Sequence, residues 1–277
     1  MGLHVVRAAV LGRPVERSLS PVLHRAAYRA LDLDWTYDAI DCGADELAGL
    51  ITEAGEDVAG FSCTMPLKRV ALELAASVGT RAQAAGSANT LLPGADGGWV
   101  AENTDVGGIL AALAEHQVVP REVVVLGAGG TAQAMLVALG ELGVGRCTAL
   151  VRAPGHSAGL LATAARVGLS VSIRSLDDRA PLAAADLIVS TLPPGAADRL
   201  ATTPWHPGQV VLDVVYDPWP TPLAAAVATA RGRVVSGTLM LLHQAAEQVE
   251  LMTGRLAPLD AMHEALCRET GHSARPQ

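Results

Sequence analysis

Three kinds of segment in this 277-residue sequence set polar or charged side chains where chemistry could be done. The first is Gly60-Phe61-Ser62-Cys63-Thr64-Met65-Pro66-Leu67-Lys68, which leaves Lys68 behind a proline with no acid three or four residues away. A lysine and a carboxylate can move a proton or stabilise developing negative charge. The plain alternative for Lys68 is a solvated surface charge. The second kind comprises Asn89-Thr90 and Asn103-Thr104-Asp105, whose residue types serve equally well as turn and cap chemistry. Ser18-Leu19-Ser20-Pro21 is ambiguous in the same way, because serine before proline ordinarily caps a helix. If the segment is extended, Ser18 and Ser20 share a face, and two hydroxyls can meet two oxygens of one anion.

The third is VVVLGAGGTA, residues 123–132, in which four apolar residues run into Gly127-Ala128-Gly129-Gly130-Thr131-Ala132 and a helical pattern follows. Strand, glycine loop and helix in this order form the dinucleotide fingerprint. Gly127 allows the tight turn, Gly129 admits a pyrophosphate to the backbone, and the helix start offers free N–H groups. Ala132 holds the third position, where alanine is permitted. An NAD site needs an acid about 20 residues past the first glycine, to grip the ribose hydroxyl. That region here is Ala149-Leu150-Val151-Arg152-Ala153, and the next acid is Asp177. A missing acid and a present Arg152 favour the 2′-phosphate of NADP.

Short apolar runs alternating with helical patterns must position these residues. Strands are expected at Arg7–Leu11, Trp35–Ile40 and Val58–Cys63. Helices are expected at Pro21–Leu31, Ala44–Gly55 and Lys68–Val78. This alternation predicts a mostly parallel sheet. A second unit opens with a helix over Asp105–His116. Its further strands fall at Cys147–Val151, Asp186–Thr191, Val210–Tyr216 and Arg233–Ser236, the order of a doubly wound nucleotide-binding sheet. Met240–Cys267 reads as two helices broken near Pro258, and residues 271–277 read as a frayed end.

Composition narrows the function. Half the residues are hydrophobic but only 3% are aromatic, so the core must be Ala, Val and Leu. The net charge, 20 − 28 = −8, and the lack of a basic cluster argue against nucleic acid. Cys42, Cys63, Cys147 and Cys267 lie far apart and form no disulfide framework. The histidines carry no metal motif, so no metal site is expected. The opening MGLHVVRAAVLG does not read as a secretory signal, and no apolar run reaches the roughly 18 residues of a membrane helix. A soluble protein of a reducing cytoplasm is the expectation.

Taken together, the segments resemble the shikimate dehydrogenase family over nearly the whole chain. The family's G-x-P-x-x-x-S-x-S-P-x-x-H appears from Gly12 to His24. Its V-T-x-P-x-K appears as Cys63 to Lys68, and its N-T and N-T-D as Asn89-Thr90 and Asn103 to Asp105. GAGG is Gly127 to Gly130. D-x-x-Y-x-P-x-x-T-x-L runs from Asp213 to Leu223, and G-x-x-M-L-x-x-Q-A from Gly237 to Ala245.

The resemblance implies an α/β chain of two lobes with a cleft between them. A substrate lobe spans 1–104, a Rossmann-type NADP lobe spans 105–237, and helices over 238–277 return to the substrate lobe. It implies NADPH-dependent reduction of 3-dehydroshikimate to shikimate in chorismate and aromatic amino acid biosynthesis. Lys68 and Asp105 would flank the reacting C–O group. Ser18 and Ser20 would bind the carboxylate, and Thr64, Asn89 and Gln244 the ring hydroxyls. Tyr216 and Gly237 would lie where the nicotinamide meets the substrate, and Thr191 and Val214 would line the cofactor. The family often has Asn where Ser62 stands and Val where Cys63 stands. Ser62 is shorter, which leaves room for the loss of one contact to the substrate or to the loop, Cys63 reads as a small buried hydrophobe, and neither departure removes the chemistry. A quinate/shikimate-type enzyme, an aminoshikimate-type relative and an NADP-sensing regulator without catalysis are the other readings, and either a monomer or a homodimer fits.

Overall fold

A computed structural model of the chain describes residues Val5–Ala274. The chain folds as two compact units, one of residues 5–108 with Leu241–Ser273, the other of Ile109–Met240 with Ala274.

The first unit is built on β1 (Val6–Gly12), α1 (Ser20–Ala30), β2 (Trp35–Asp41), α2 (Leu47–Thr52), β3 (Val58–Cys63), α3 (Lys68–Leu74), β4 (Ser77–Val78), α4 (Thr80–Ala85), β5 (Thr90–Pro93) and β6 (Trp99–Glu102). Its sheet has the order β2-β1-β3-β5-β6-β4. β1 pairs parallel with β2 and β3, and β5 alone runs antiparallel to both of its neighbours. Leu11, Leu47, Phe61, Leu67, Leu91 and Ala101 form the core beneath it. The β5–β6 hairpin was not foreseen. It sets Thr90 opposite Glu102, so the residues just before β5 and just after β6 become neighbours. α5 (Asp105–Glu115) starts on that edge.

The second unit continues with β7 (Val123–Leu126), α6 (Gly130–Glu141), β8 (Arg146–Val151), α7 (Ala158–Arg166), β9 (Ser170–Ser175), α8 (Ala180–Ala184), β10 (Leu187–Ser190), β11 (Val210–Asp213), α9 (Pro222–Thr229) and β12 (Arg233–Ser236). Its six strands lie in the order β12-β11-β10-β7-β8-β9, all parallel. That is the doubly wound order, with its reversal between β7 and β10. The four residues of β7 are all buried, as a parallel strand covered on both faces must be. α10 (Gly237–Thr253) and α11 (Leu259–Thr270) complete the chain, and α11 packs on α1.

Several boundaries differ from expectation for local reasons. The helix read over Lys68–Val78 stops at Leu74, because Ala75 turns extended and Ser77–Val78 pairs with β6. The strand read to Tyr216 stops at Asp213, whose carboxylate accepts from the Val215 N–H and the Thr221 hydroxyl and turns the chain away. Of the end read as frayed, Gly271 closes α11 in a left-handed conformation and Ala274 is buried; residues 275–277, like 1–4, lie outside the described part. Among the described residues no helix is long and apolar enough to cross a membrane, and no cluster of ligands for a metal occurs.

Candidate active site

The hairpin explains how distant residues meet in the first unit. Lys68 opens α3 directly after the β3 turn, and Asp105 opens α5 directly after β6. The Lys68 Nζ donates to Asp105 Oδ2 at 2.5 Å, with the two side chains only 19% and 7% exposed. No acid stands three or four residues from Lys68, and its carboxylate partner is supplied instead from 37 residues away. The contact fixes each side chain in one orientation toward the other.

Asn89 locks the other carboxylate oxygen. Its Oδ1 accepts the Thr104 backbone N–H at 2.8 Å. That N–H can only donate, so the Asn89 amide nitrogen must face the opposite way. It donates to Asp105 Oδ1 at 2.9 Å and to Gln244 Oε1 at 3.2 Å. Lys68, Asp105, Asn89 and Gln244 therefore form one connected polar cluster. Thr64, partly buried, lies in the β3–α3 turn with its N–H on the Leu11 carbonyl. A side-chain carbon on Gly12 would stand 2.3 Å from the Thr64 methyl, so the glycine makes room for this threonine.

The serines are arranged differently from the extended reading. α1 begins at Ser20, Leu19 occupies the cap position in helical conformation, and no side chain caps the helix. The αR turn at Leu19 removes the shared face of an extended strand. Ser18 instead accepts the Ser20 backbone N–H through its hydroxyl at 3.3 Å. The buried Ser20 hydroxyl interacts with the Tyr37 phenol.

Ser62 is tied to two neighbours within the unit. Its hydroxyl accepts from Tyr37 Oη at 2.6 Å and donates to Gln248 Oε1 at 2.8 Å. Cys63 is buried among apolar neighbours, which push its thiol up to about 12. Sequence reasoning passed over Gln248, Tyr37 and the functional side of Thr90 and Thr104. The available signal was the spacing of Gln244 and Gln248, one helical turn apart on one face.

In the second unit the loop after β7 meets the requirements of a dinucleotide. Gly127 has φ of +110°, and a side-chain carbon there would stand 2.5 Å from Thr191 Oγ1. Thr191 follows β10, so the pair straddles the reversal of strand order, where ligands bind in such sheets. Gly129 caps α6 without a side-chain bond, and a carbon added there meets only open space. Ala128, Gly130, Thr131 and Ala132 complete the loop and first turn, whose N–H groups point out of the helix end. Arg152 stands exposed at the end of β8, and Asp177 is paired with Arg199. Gly237 opens α10 against the end of β11. A side-chain carbon there would be 2.4 Å from the Val214 carbonyl oxygen. Tyr216 lies just beyond, partly buried, its phenol pushed up first by burial and then by Asp217.

A parallel dinucleotide-type sheet in one unit and a buried lysine–carboxylate pair in the other define a dinucleotide-dependent oxidoreductase. The family model described as Shikimate dehydrogenase substrate binding domain matches residues 10–91, and that of the Shikimate 5'-dehydrogenase C-terminal domain matches residues 237–267. The NADP(+) shikimate dehydrogenase of Methanothermobacter thermautotrophicus is 35% identical over 270 residues, covering 94% of this chain and 95% of that protein. The crystal structure of Mycobacterium tuberculosis shikimate dehydrogenase superposes with a TM-score of 0.86 at 47% identity, covering 95% of this chain and 99% of that one. The Thermus thermophilus enzyme in complex with NADP(H) and shikimate gives 0.82 at 31% identity, covering 95% and 99%. The chain belongs to the shikimate dehydrogenase family.

Proposed function

We propose that the chain catalyses the reversible, NADPH-dependent reduction of 3-dehydroshikimate to shikimate, a step toward aromatic amino acids. The observation that carries this reading is the buried Lys68–Asp105 pair at 2.5 Å. NADPH, when bound, supplies the hydride. Reduction of a ketone places negative charge on its oxygen, and the Lys68 ammonium stabilises that charge and delivers the proton. Asp105 keeps the Lys68 side chain aimed. Asn89, Gln244 and Thr64 take the ring hydroxyls, and Ser18 and Ser20 the carboxylate. In the second unit, residues 127–132 hold the pyrophosphate, Arg152 reads the 2′-phosphate, and Thr191, Val214, Tyr216 and Gly237 line the nicotinamide side.

The intact pair speaks against a catalytically silent NADP sensor, which would tolerate loss of either residue. The absence of an acid at the end of β8 speaks against an NAD-linked quinate enzyme. An acidic chain with four free cysteines supports a cytoplasmic enzyme without nucleic-acid partners, working as a monomer or homodimer. The deciding experiment follows nicotinamide absorbance with shikimate or quinate, each with NADP or NAD. Turnover confined to shikimate with NADP is expected, and faster turnover of quinate with NAD would overturn the reading.

A further inference from the structure

Gln248 sits on α10 one turn beyond Gln244 and is 1% exposed. A buried primary amide is costly unless all its hydrogen-bonding groups are matched. Here every partner belongs to, or touches, the site described above. The Asn89 backbone carbonyl can only accept, and it lies 3.3 Å from Gln248 Nε2. That fixes which way the amide points. The same nitrogen donates to Thr90 Oγ1 at 2.9 Å. The Gln248 carbonyl then faces the Ser62 hydroxyl at 2.8 Å and His24 Nε2 at 3.2 Å.

From Gln248 the bonds run in one direction. Thr90 receives from Gln248 and donates onward to Asn89 Oδ1 at 3.0 Å. The Asn89 amide nitrogen, turned by this and by the Thr104 N–H, donates to Asp105. On the other side, Ser62 receives from Tyr37, whose phenol also meets Ser20. Gln248 is thus the junction between the serine end and the lysine–carboxylate end. The short Ser62, where the family often has asparagine, meets the Gln248 side chain at hydrogen-bonding distance.

We propose that Gln248 is a positioning residue for the reaction. It holds Asn89 and Thr90, and through the Asn89 amide it holds the Asp105 carboxylate in the orientation that faces Lys68. The inference rests on the reading that Asn89 and the Lys68–Asp105 pair serve the substrate.

The test is a double-mutant cycle with Gln248→Met, which keeps the length and loses the bonds, and Asn89→Ala. Turnover with shikimate and NADP, NADP affinity and thermal unfolding are measured for each. Gln248→Met lowers kcat by about 10- to 100-fold, the scale for a misplaced group near the chemistry. NADP affinity stays unchanged and unfolding stays cooperative. Because Gln248 acts through Asn89, the double variant is no slower than Asn89→Ala alone. A Gln248→Met enzyme within about twofold of wild type, or losses that multiply in the double variant, would overturn the proposal. If Asn89→Ala itself turns over normally, the site reading fails instead. Should Gln248→Met not fold, Thr90→Val decides, since it removes only the hydroxyl step between Gln248 and Asn89. A lowered kcat in that variant supports the proposal, and wild-type kcat overturns it.

Discussion

Replacing Gly129 by alanine separates folding from cofactor binding. Gly129 has φ of −78° and ψ of −174°, which alanine adopts without strain. The added methyl meets no protein atom within 4 Å. The folded protein therefore has no reason to object, and the loss of chain freedom in the unfolded state stabilises it by up to about 1 kcal/mol. The bound pyrophosphate has every reason to object if it approaches this backbone. Forcing a methyl into a filled contact costs about 1–3 kcal/mol. At 1.4 kcal/mol per decade this weakens NADP binding about 5- to 150-fold. Thermal unfolding without ligand and titration of NADP by calorimetry give the two numbers. Unchanged affinity in Gly129→Ala would refute the placement of the pyrophosphate. A large fall in melting temperature would refute the claim of open space.

Other outcomes follow from the same geometry. Arg152→Ala should weaken NADP by about 1–3 kcal/mol, the range for a hydrogen bond to a charged group, and leave NAD nearly unaffected; equal losses in parallel titrations would show that Arg152 does not read the phosphate. Lys68→Ala should slow turnover by about two to four decades with little change in substrate affinity, and near-normal kcat would remove the lysine from the chemistry. Burial lowers the His24 imidazole to about 3 from the usual 6.5, so below pH 6.5 the unfolded chain takes up a proton that the folded protein refuses. Stability is then fully present above 6.5 and lost as pH falls, by about 2 kcal/mol at pH 5. Urea unfolding at pH 7 and pH 5 should show this loss in wild type and not in His24→Phe, and equal losses in both would reassign it.

The second sheet was legible because its central strands are short, continuous apolar runs ending in glycine or a polar turn. Its outer strand β9, SVSIRS, was missed because its alternation rests on only two apolar residues, Val171 and Ile173, which stay half-exposed at the sheet edge. In the first unit, β5 and β6 are four residues each and were hidden between turn residues. That omission mattered for the site. Lys68, Asp105 and Asn89 were identifiable by type and motif, but their contact depends on the hairpin that returns residue 102 to residue 90. The serine geometry was misjudged because a proline at the first turn let α1 begin at Ser20 itself, with helical backbone already at Leu19. The Gln248 network had no motif to announce it. Hydrogen bonds between residues some 160–220 positions apart leave no local pattern in the chain.

The two glycine–threonine contacts set limits on redesign. Thr64 fills the space a larger residue at position 12 would need, and Thr191 does the same for position 127. A library that varies either threonine to change specificity is bounded from behind by a glycine, and smaller side chains there open voids that an alanine at the glycine cannot simply fill. At position 12 the Met65 carbonyl still stands 2.9 Å from the new carbon, and at 127 the left-handed backbone still disfavours it. Each pair must be varied together with the turn that carries it, so the smallest exchangeable unit is a loop rather than a residue.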